Sequence, residues 1–333
     1  MPSLSPAIAE IRLAVRASLA DLPEGATVIV ALSGGADSLA LAAAVAFEAP
    51  KRGLRVASVT VDHALQDGSD GVAVRAGQIA AGLGIDPLIV KVAVGGEGGP
   101  ENAAREARYG VLRDAALDTR AAAVLLGHTL DDQAETVLLG LARGSGAASL
   151  QGMAPVRDDD DGIRWLRPLL GVRREATRAF CAASDLEFWD DPHNVDDRFA
   201  RVRVRERVLP VLEAELGPGI AEALARTAEQ LREDAEAFDE MIHETIEDIV
   251  EHAEAGISVS VAALAANPAA LRNRIIRLVV GSEFGASLTR LQTLEVARLV
   301  TDWSGQGPIG LPGCFAARVG GRIVFTASAP AAR

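Results

Sequence analysis

The sequence predicts an α/β fold in which a doubly wound parallel sheet is followed by a smaller, mainly helical C-terminal domain. Four apolar, β-branched segments recur between residues 27 and 126, and helical segments alternate with them, as in βαβ units. A Gly-Pro-Gly turn at 217–219 precedes a long amphipathic segment, which indicates a domain boundary. We therefore expect a first domain over residues 1–215, a linking helix over 216–255 and a C-terminal domain over 256–333.

The composition excludes several classes of protein. The chain has 333 residues, of which 49% are hydrophobic, and no apolar run is long enough to form a membrane helix. A formal net charge of −13 argues against bulk, non-specific binding of nucleic acid. The two cysteines, Cys181 and Cys314, lie far apart in sequence, so we expect no disulfide framework and no cysteine-based metal site. Together with the absence of signal-peptide features, this predicts a cytoplasmic protein.

The first strand, over residues 27–32, leads into a glycine turn and a helix rich in alanine and leucine. Backbone N–H groups at such a turn, with the positive end of the helix dipole, form a site for a phosphate group. A carboxylate beside phosphate repels it unless a cation lies between them, so Asp37 predicts Mg²⁺ bridging to a polyphosphate. The candidate phosphate-binding residues are Ser33, Gly34, Gly35, Ala36, Asp37 and Ser38.

Further polar residues follow the second strand and begin the fourth helical segment. The strand over 55–61 ends at Asp62 and His63, and ligands of doubly wound sheets lie at the carboxyl ends of strands, although a lone histidine there is often structural. After a third strand at 87–92, the glycine-rich segment 95–99 is either a lid or a linker. Arg105 and Arg108 then share one helix face; the alternative interpretation is a solvated face.

The fourth strand, over residues 121–126, leads into His128 and a helix that begins near Thr129. Asp132 and Glu135 are spaced i,i+3 and therefore share a face near the N-terminus of this helix. Such a pair suits Mg²⁺ or the ammonium group of an amine substrate. Carboxylates in a first helical turn are also ordinary partners of the helix dipole. If Asp132 and Glu135 face Asp37 across a phosphate site, however, the three carboxylates form an acidic cluster.

The rest of the chain contributes one basic run and a long helix. Five arginines between 198 and 207 alternate with apolar residues, which indicates a phosphate-contacting surface or, alternatively, the start of a charged amphipathic helix. An acidic amphipathic helix over 220–254 either spans the domains or pairs across a homodimer. Two helical segments within 257–300 and a closing hairpin follow. The arginines that we expect to contact RNA are Arg201, Arg203 and Arg205.

The motifs, taken together, resemble one family closely. The signature S-G-G-x-D-S at 33–38 is that of the PP-loop, or N-type, ATP pyrophosphatases, whose fold is adenine-nucleotide alpha-hydrolase-like and Rossmann-like. V-D-H-x-L at 61–65, A-A-R-E-x-R-Y at 103–109 and G-H-x-x-D-D-Q-x-E-T at 127–136 follow in the order and spacing of the tRNA(Ile)-lysidine synthetases. The resemblance covers about residues 25–215. Val202 departs from it, because the family usually has Asn at this position.

The resemblance implies a reaction and roles for the candidate residues. ATP and Mg²⁺ serve as cofactors, and lysine is ligated to C2 of the wobble cytidine in the CAU anticodon of tRNA(Ile) through an adenylated intermediate. Asp37 would hold Mg²⁺, His63 would lie beside the nucleotide, and Arg108 would stabilise charge at the α phosphate. Asp132 and Glu135 would bind the lysine amine or remove its proton, with His128 orienting the site, and the C-terminal domain would bind tRNA.

Three alternatives remain open from the sequence. A PP-loop tRNA thiolase needs cysteines in a C-x-x-C or a catalytic pair, which the two isolated cysteines disfavour. A PP-loop amidotransferase or small-molecule ligase would have no use for the arginine run. A non-catalytic ATP-binding module would not need Asp132 and Glu135 beside Asp37.

Overall fold

The computed structural model describes residues 5–62, 68–92, 100–144, 146–253 and 256–328. The chain forms two compact units, Met1–Arg232 and Glu233–Arg333. The division into 1–215, 216–255 and 256–333 stays a prediction. His63 and the glycine-rich segment 95–99 lie outside the described residues.

A six-stranded sheet forms the centre of the first unit. Its strand order is β3-β2-β1-β4-β6-β5, in which the first five strands are parallel and β5 pairs antiparallel with β6. β5 and β6 form a hairpin, and Asp161 and Gly162 lie in the segment that connects them. The strands are β1 (Thr27–Ala31), β2 (Arg55–Asp62), β3 (Asp86–Lys91), β4 (Ala123–Leu125), β5 (Val156–Asp158) and β6 (Arg164–Leu166).

Helices cover both faces of this sheet. On one face, Ile11, Leu41 and Phe180 pack in a common core, and on the other Leu112 packs with Trp165. The central strands β1 and β4 are apolar on both sides because both faces are covered there, whereas the edge strands β3 and β5 are exposed. The helices are α1 (Pro6–Ser18), α2 (Ala36–Glu48), α3 (Ser69–Gly82), α4 (Pro100–Thr119), α5 (Leu130–Ala142), α6 (Ala147–Leu150), α7 (Arg174–Ala183), α8 (Ala200–Arg203), α9 (Leu209–Leu216) and α10 (Ile220–Ile249), which contains the boundary between the units.

The strand order reverses between β1 and β4, and this reversal opens a crevice at their carboxyl ends. The chain leaves β1 through the predicted phosphate turn, and it leaves β4 through Gly127 and His128. A Cβ on Gly127 would lie 3.2 Å from the backbone of Asp37 and of Ser38. Glycine at this position therefore lets the end of β4 approach the N-terminus of α2.

The second unit contains an antiparallel sheet that the sequence analysis largely missed. Its order is β7-β8-β11-β10-β9, where the predictions included only a closing hairpin. The helix predicted over 220–254 ends at Ile249, and 250–253 form a strand. Ile257 and Val259 are buried on β8, and their alternation with serines is a strand pattern that the sequence analysis overlooked. Three helices follow between Val261 and Thr301, where two helical segments were expected. The elements are β7 (Val250–Ala253), β8 (Gly256–Ser260), α11 (Val261–Ala266), α12 (Ala269–Phe284), α13 (Arg290–Thr301), β9 (Ile309–Leu311), β10 (Cys314–Val319) and β11 (Arg322–Ala327).

No helix among the described residues is both long and apolar enough to cross a bilayer.

We predict that Gly127→Ala lowers the free energy of unfolding by about 1–3 kcal/mol, because its methyl group would press against the backbone of Asp37. Urea denaturation of the purified variant measures this change. Gly110→Ala is the matched control, since Gly110 lies inside α4 and its added methyl group would meet nothing within 4 Å. The control should gain stability of about 0.5–1 kcal/mol from helix propensity. Equal effects of the two substitutions would contradict the close approach.

Candidate active site

A cleft of about 990 Å³ lies at the strand reversal of the first unit. Its walls are the carboxyl ends of β1, β2 and β4 and the first turns of α2, α5 and α7. The predicted residues that line it are Ser33, Gly35, Ala36, Asp37, Ser38, Arg108, His128, Asp132 and Arg205. Gly34 lines a smaller adjoining cavity with Trp189, and Glu135 lies behind the cleft wall, fully buried.

The phosphate turn is held open by a glycine and braced by a serine. Gly34 has φ +84°, a left-handed conformation that favours glycine. The Ser38 hydroxyl donates to the carbonyl oxygen of Gly35 at 2.9 Å and accepts from the N–H of Ser33 at 3.1 Å. Because Ser38 already donates its single proton, Ser33 is the donor in the 3.1 Å contact between the two hydroxyls. The exposed Ser33 hydroxyl can therefore turn its proton to an incoming phosphate, whereas Ser38 shapes the turn.

Trp189 anchors the turn from outside. Its backbone N–H donates to the carbonyl oxygen of Gly34 at 3.0 Å, and the residue borders both cavities. The contact joins residues more than 150 positions apart, so no local pattern could have revealed it.

Asp37, in the first turn of α2, is partly buried at the centre of the cleft. It accepts hydrogen bonds from the hydroxyl of Thr177 and, at 3.4 Å, from Nε of Arg174. Burial raises the pKa of Asp37, although Thr177 and Arg174 both act in the opposite direction. The Asp37 carboxylate and the turn at 33–38 therefore line the same cleft.

Arg174 is the residue that the sequence analysis missed. Its guanidinium contacts three carboxylates: Asp37, Glu135 at 3.2 Å from Nη1, and Asp132 at 2.6 Å from Nη2. Its backbone N–H also donates to Asp131 at 2.7 Å. One signal was available, because Arg174 is the first residue of α7, where the positive end of the helix dipole disfavours a cation. A residue that breaks a local preference is often kept for function.

Asp132 and Glu135 share a face of α5, as their spacing predicts, but their surroundings differ. Asp132 caps the helix, since its Oδ2 accepts from the N–H of Thr129 at 2.8 Å, while its Oδ1 faces Arg174. Burial would raise the pKa of Asp132, but Arg174 and the Thr129 N–H outweigh burial and hold that pKa below its usual range. Glu135 accepts two hydrogen bonds from Arg205, at 2.7 and 3.1 Å. Both carboxylates thus have cationic partners.

Arg108 and His128 are partly buried and line the same cleft as the turn at 33–38. Arg108 Nε and His128 Nδ1 are buried and have no hydrogen-bond partner within the described ranges. Burial lowers the pKa of His128 to about 3, so the imidazole is neutral near pH 7. Arg105, the other candidate on this helix, lies over the ring of Tyr109 at 5.0 Å. Unsatisfied buried donors and acceptors indicate a ligand-facing surface.

The predicted RNA-contacting arginines separate into two groups. Arg205 and Arg201 face Glu135, the latter at 4.0 Å, whereas Arg203 donates to backbone carbonyls of residues 197 and 198 at 2.8 Å. Val202 and Val204 are buried, so the apolar residues between the arginines serve packing. Residues 204–208 form a π-helical turn, a feature frequent at functional sites. Their role in binding RNA stays a prediction.

No group of three or more His, Cys, Asp or Glu side chains within the described residues could hold a metal ion alone. Asp37 offers a single carboxylate, and both its oxygens already accept hydrogen bonds from protein donors. Mg²⁺ commonly uses one or two carboxylates and takes its remaining ligands from substrate phosphates and water. The residues therefore fit an ion that arrives with a polyphosphate, and they do not fit a resident metal cage.

Comparison with known proteins identifies both parts of the chain. A PP-loop domain family matches residues 10–212, and a TilS substrate-binding domain family matches residues 260–324. The tRNA(Ile)-lysidine synthase of Leifsonia xyli subsp. xyli is 60% identical over 306 residues, covering 91% of each chain. That of Streptomyces coelicolor is 49% identical, over 96% of this chain and 98% of the relative.

A solved structure supports the fold independently. The U34-tRNA thiolase NcsA from Methanococcus maripaludis, with its [4Fe-4S] cluster, superimposes with a TM-score of 0.59 at 20% identity, covering 68% of this chain and 80% of the thiolase. At this identity the likeness concerns the fold alone. The matched domain families and the identity to curated relatives over most of both chains show that the chain belongs to the tRNA(Ile)-lysidine synthase family.

Proposed function

We propose that the protein ligates lysine to C2 of the wobble cytidine in the CAU anticodon of tRNA(Ile), using ATP. The carbonyl oxygen at C2 attacks the α phosphate and pyrophosphate leaves. The lysine side-chain amine then attacks C2, AMP leaves, and the amine loses a proton to give lysidine, which reads AUA in place of AUG. One observation carries this proposal in a chain of this family: a phosphate turn and a carboxylate cluster face each other in one cleft.

The nucleotide half of the site consists of the turn at 33–38 and Arg108. Backbone N–H groups, the Ser33 hydroxyl and the N-terminus of α2 would bind the phosphates of ATP. Arg108 would face the charge that develops at the α phosphate, since a buried donor aimed at that charge needs no reorganisation. Mg²⁺, when bound through Asp37, would neutralise part of the polyphosphate charge. If the 3.4 Å contact between Arg174 Nε and Asp37 opens, one Asp37 oxygen becomes free to bind Mg²⁺.

The amine half is the acidic cluster. An ionised Asp132 beside the cleft attracts the lysine ammonium, and one of the cluster carboxylates removes the proton that the amine must lose before it attacks. Glu135 supports this half from behind, through Arg205 and Arg174. Neutral His128 would orient the site by accepting a hydrogen bond at Nδ1.

Two regions would contact RNA, one in each unit. Arg201, Arg203 and Arg205 would meet the anticodon arm or the activated intermediate, and the TilS substrate-binding region would bind tRNA elsewhere. We place the reaction in the cytoplasm, where tRNA is available. A homodimer through α10 stays a prediction.

The thiolase alternative is disfavoured by the cysteines. Cys181 and Cys314 are free and buried, one in each unit, and burial raises the pKa of Cys181 to about 11. A buried thiol of this kind is a poor nucleophile and a poor ligand for a cluster.

The first test is incorporation of radiolabelled lysine. Purified protein with ATP and Mg²⁺ should label tRNA(Ile) carrying CAU and leave methionine tRNA unlabelled, and Asp37→Ala should lose about 100-fold or more of the activity. Asp158→Ala is the matched control, because its carboxylate pairs with Arg164 at the surface. Cleavage of ATP to AMP without label would remove the lysidine assignment. No ATP cleavage at all would favour a binding module.

We expect Arg108→Gln to lower the rate of tRNA adenylation about 100-fold and to change the Kd of ATP only a few-fold, because charge at the α phosphate grows in the transition state. Pyrophosphate exchange in the presence of tRNA and the absence of lysine measures the first step. Arg105→Gln serves as the comparison. A larger loss in Arg105→Gln than in Arg108→Gln would transfer the role to Arg105.

Neutral His128 predicts a pH dependence of stability. The folded pKa of about 3 lies below the unfolded value of about 6.5, so the unfolded chain binds the proton first and stability falls as the pH drops from 6.5 towards 3. His128→Gln should make the fall between pH 6.5 and pH 4.5 shallower in urea denaturation. His243→Gln, at an exposed position, is the control. Parallel profiles for wild type and His128→Gln would contradict a buried neutral imidazole.

A further inference from the structure

Arg174 joins the first turns of three helices through one guanidinium. Asp37 lies in the first turn of α2, Asp132 and Glu135 belong to α5, and Arg174 begins α7. Each nitrogen of the guanidinium meets a different carboxylate, at 3.4 Å from Nε, 3.2 Å from Nη1 and 2.6 Å from Nη2. A planar fork with fixed donor directions is suited to holding three carboxylates at set separations.

The three carboxylates depend on Arg174 to different degrees. Glu135 has no exposed side-chain surface and is also held by two hydrogen bonds from Arg205. Asp132 has 13% exposure and directs only its Oδ1 towards Arg174 and the cleft. Asp37 has 25% exposure and makes the longest of the three contacts. The Arg174–Asp132 bond is therefore the strong one, and the Arg174–Asp37 contact is the one that a ligand can replace.

Removal of the guanidinium would leave like charges close together in a poorly solvated wall. Carboxylates in that situation repel each other, and one of them either takes a proton or turns away. Arg205 Nη2 also lies 3.7 Å from Asp132 Oδ1, so the two arginines share this charge. The 2.6 Å bond from Arg174 is the shorter contact, and it sets the direction of the carboxylate oxygen that faces the cleft. Arg174 itself is four-fifths covered, with its nitrogens directed at the protein's own carboxylates.

We propose that Arg174 is a positioning residue for the lysine-transfer step: it orients the Asp132 carboxylate that faces the amine, with Glu135 buried behind it. This inference rests on the proposed function. A ligand can replace Arg174 as the partner of Asp37. The adenylation step therefore depends on Arg174 much less than the transfer step does. Arg174 acts through the carboxylates and contacts neither ATP nor lysine.

The experiment separates the two half-reactions in the full-length protein. Pyrophosphate exchange with tRNA and without lysine reports adenylation, and lysine incorporation reports the complete reaction. The variants are Arg174→Ala and Arg174→Lys, with Arg164→Gln as the control, since Arg164 pairs with Asp158 away from the cleft. Calorimetric titration of lysine onto protein with a non-hydrolysable ATP analogue adds a readout without turnover.

We expect Arg174→Ala to lose about 100-fold in lysine transfer, with adenylation and the KM of ATP changed only a few-fold, and to bind lysine more weakly. Added guanidinium ion should restore part of the transfer rate, because it supplies the guanidinium group that Arg174→Ala lacks. Arg174→Lys keeps the positive charge but lacks the planar set of N–H donors. It should therefore fold normally and remain impaired in lysine transfer. Arg164→Gln should behave as wild type in every assay.

Equal losses in both half-reactions by folded Arg174→Lys would overturn the proposal and assign Arg174 to the phosphate side. Unchanged lysine transfer in Arg174→Lys and Arg174→Ala would also overturn it. Failure of the wild-type protein to incorporate lysine is a different result, which removes the proposed function and the inference with it. If Arg174→Ala does not fold, Arg174→Lys and its lysine affinity decide the question.

Discussion

The active site depends on one buried charge cluster, in which the guanidinium of Arg174 neutralises carboxylates from two other helices. Carboxylates brought this close in a partly dry cleft would not all remain ionised without a cation among them. The cation therefore has to be part of the fold. Because it begins α7, the packing of α7 against α2 in the core of the first unit also determines the geometry of the cluster.

The phosphate turn and the cluster meet because β1 and β4 are neighbours at the reversal of strand order. Gly127 allows the end of β4 to lie against the backbone of Asp37, so the first turns of α2 and α5 face the same cleft. The positive ends of two helix dipoles then act on an anionic ligand and on the carboxylates beside it. The arrangement places a site for polyphosphate beside a site for a cationic amine, which is the pairing that adenylation followed by amine attack requires.

The surroundings of the carboxylates also distinguish their roles. Asp132 reaches the cleft with one oxygen and caps α5 with the other, so it serves both stability and the site. Glu135 has no access to the cleft and holds Arg205 and Arg174 in place. The pair that the sequence presents as equivalent is thus divided by burial into a residue that faces the cleft and a residue that lies behind it.

The sequence by itself determined the first four strands of the first unit with the helices between them, the glycine turn at 33–38 and the i,i+3 carboxylates, because periodicity, glycine turns and helix starts are local properties. Only the tertiary structure decided that Arg174 and Trp189 belong to the site and that Glu135 lies behind it. These contacts join residues 39 to more than 150 positions apart, and no local pattern encodes which of many arginines meets which carboxylate. The strands of the second unit were missed for a related reason. Residues 250–253 carry little strand signal alone and become β7 by pairing with β8, which in turn pairs with β11 near the end of the chain.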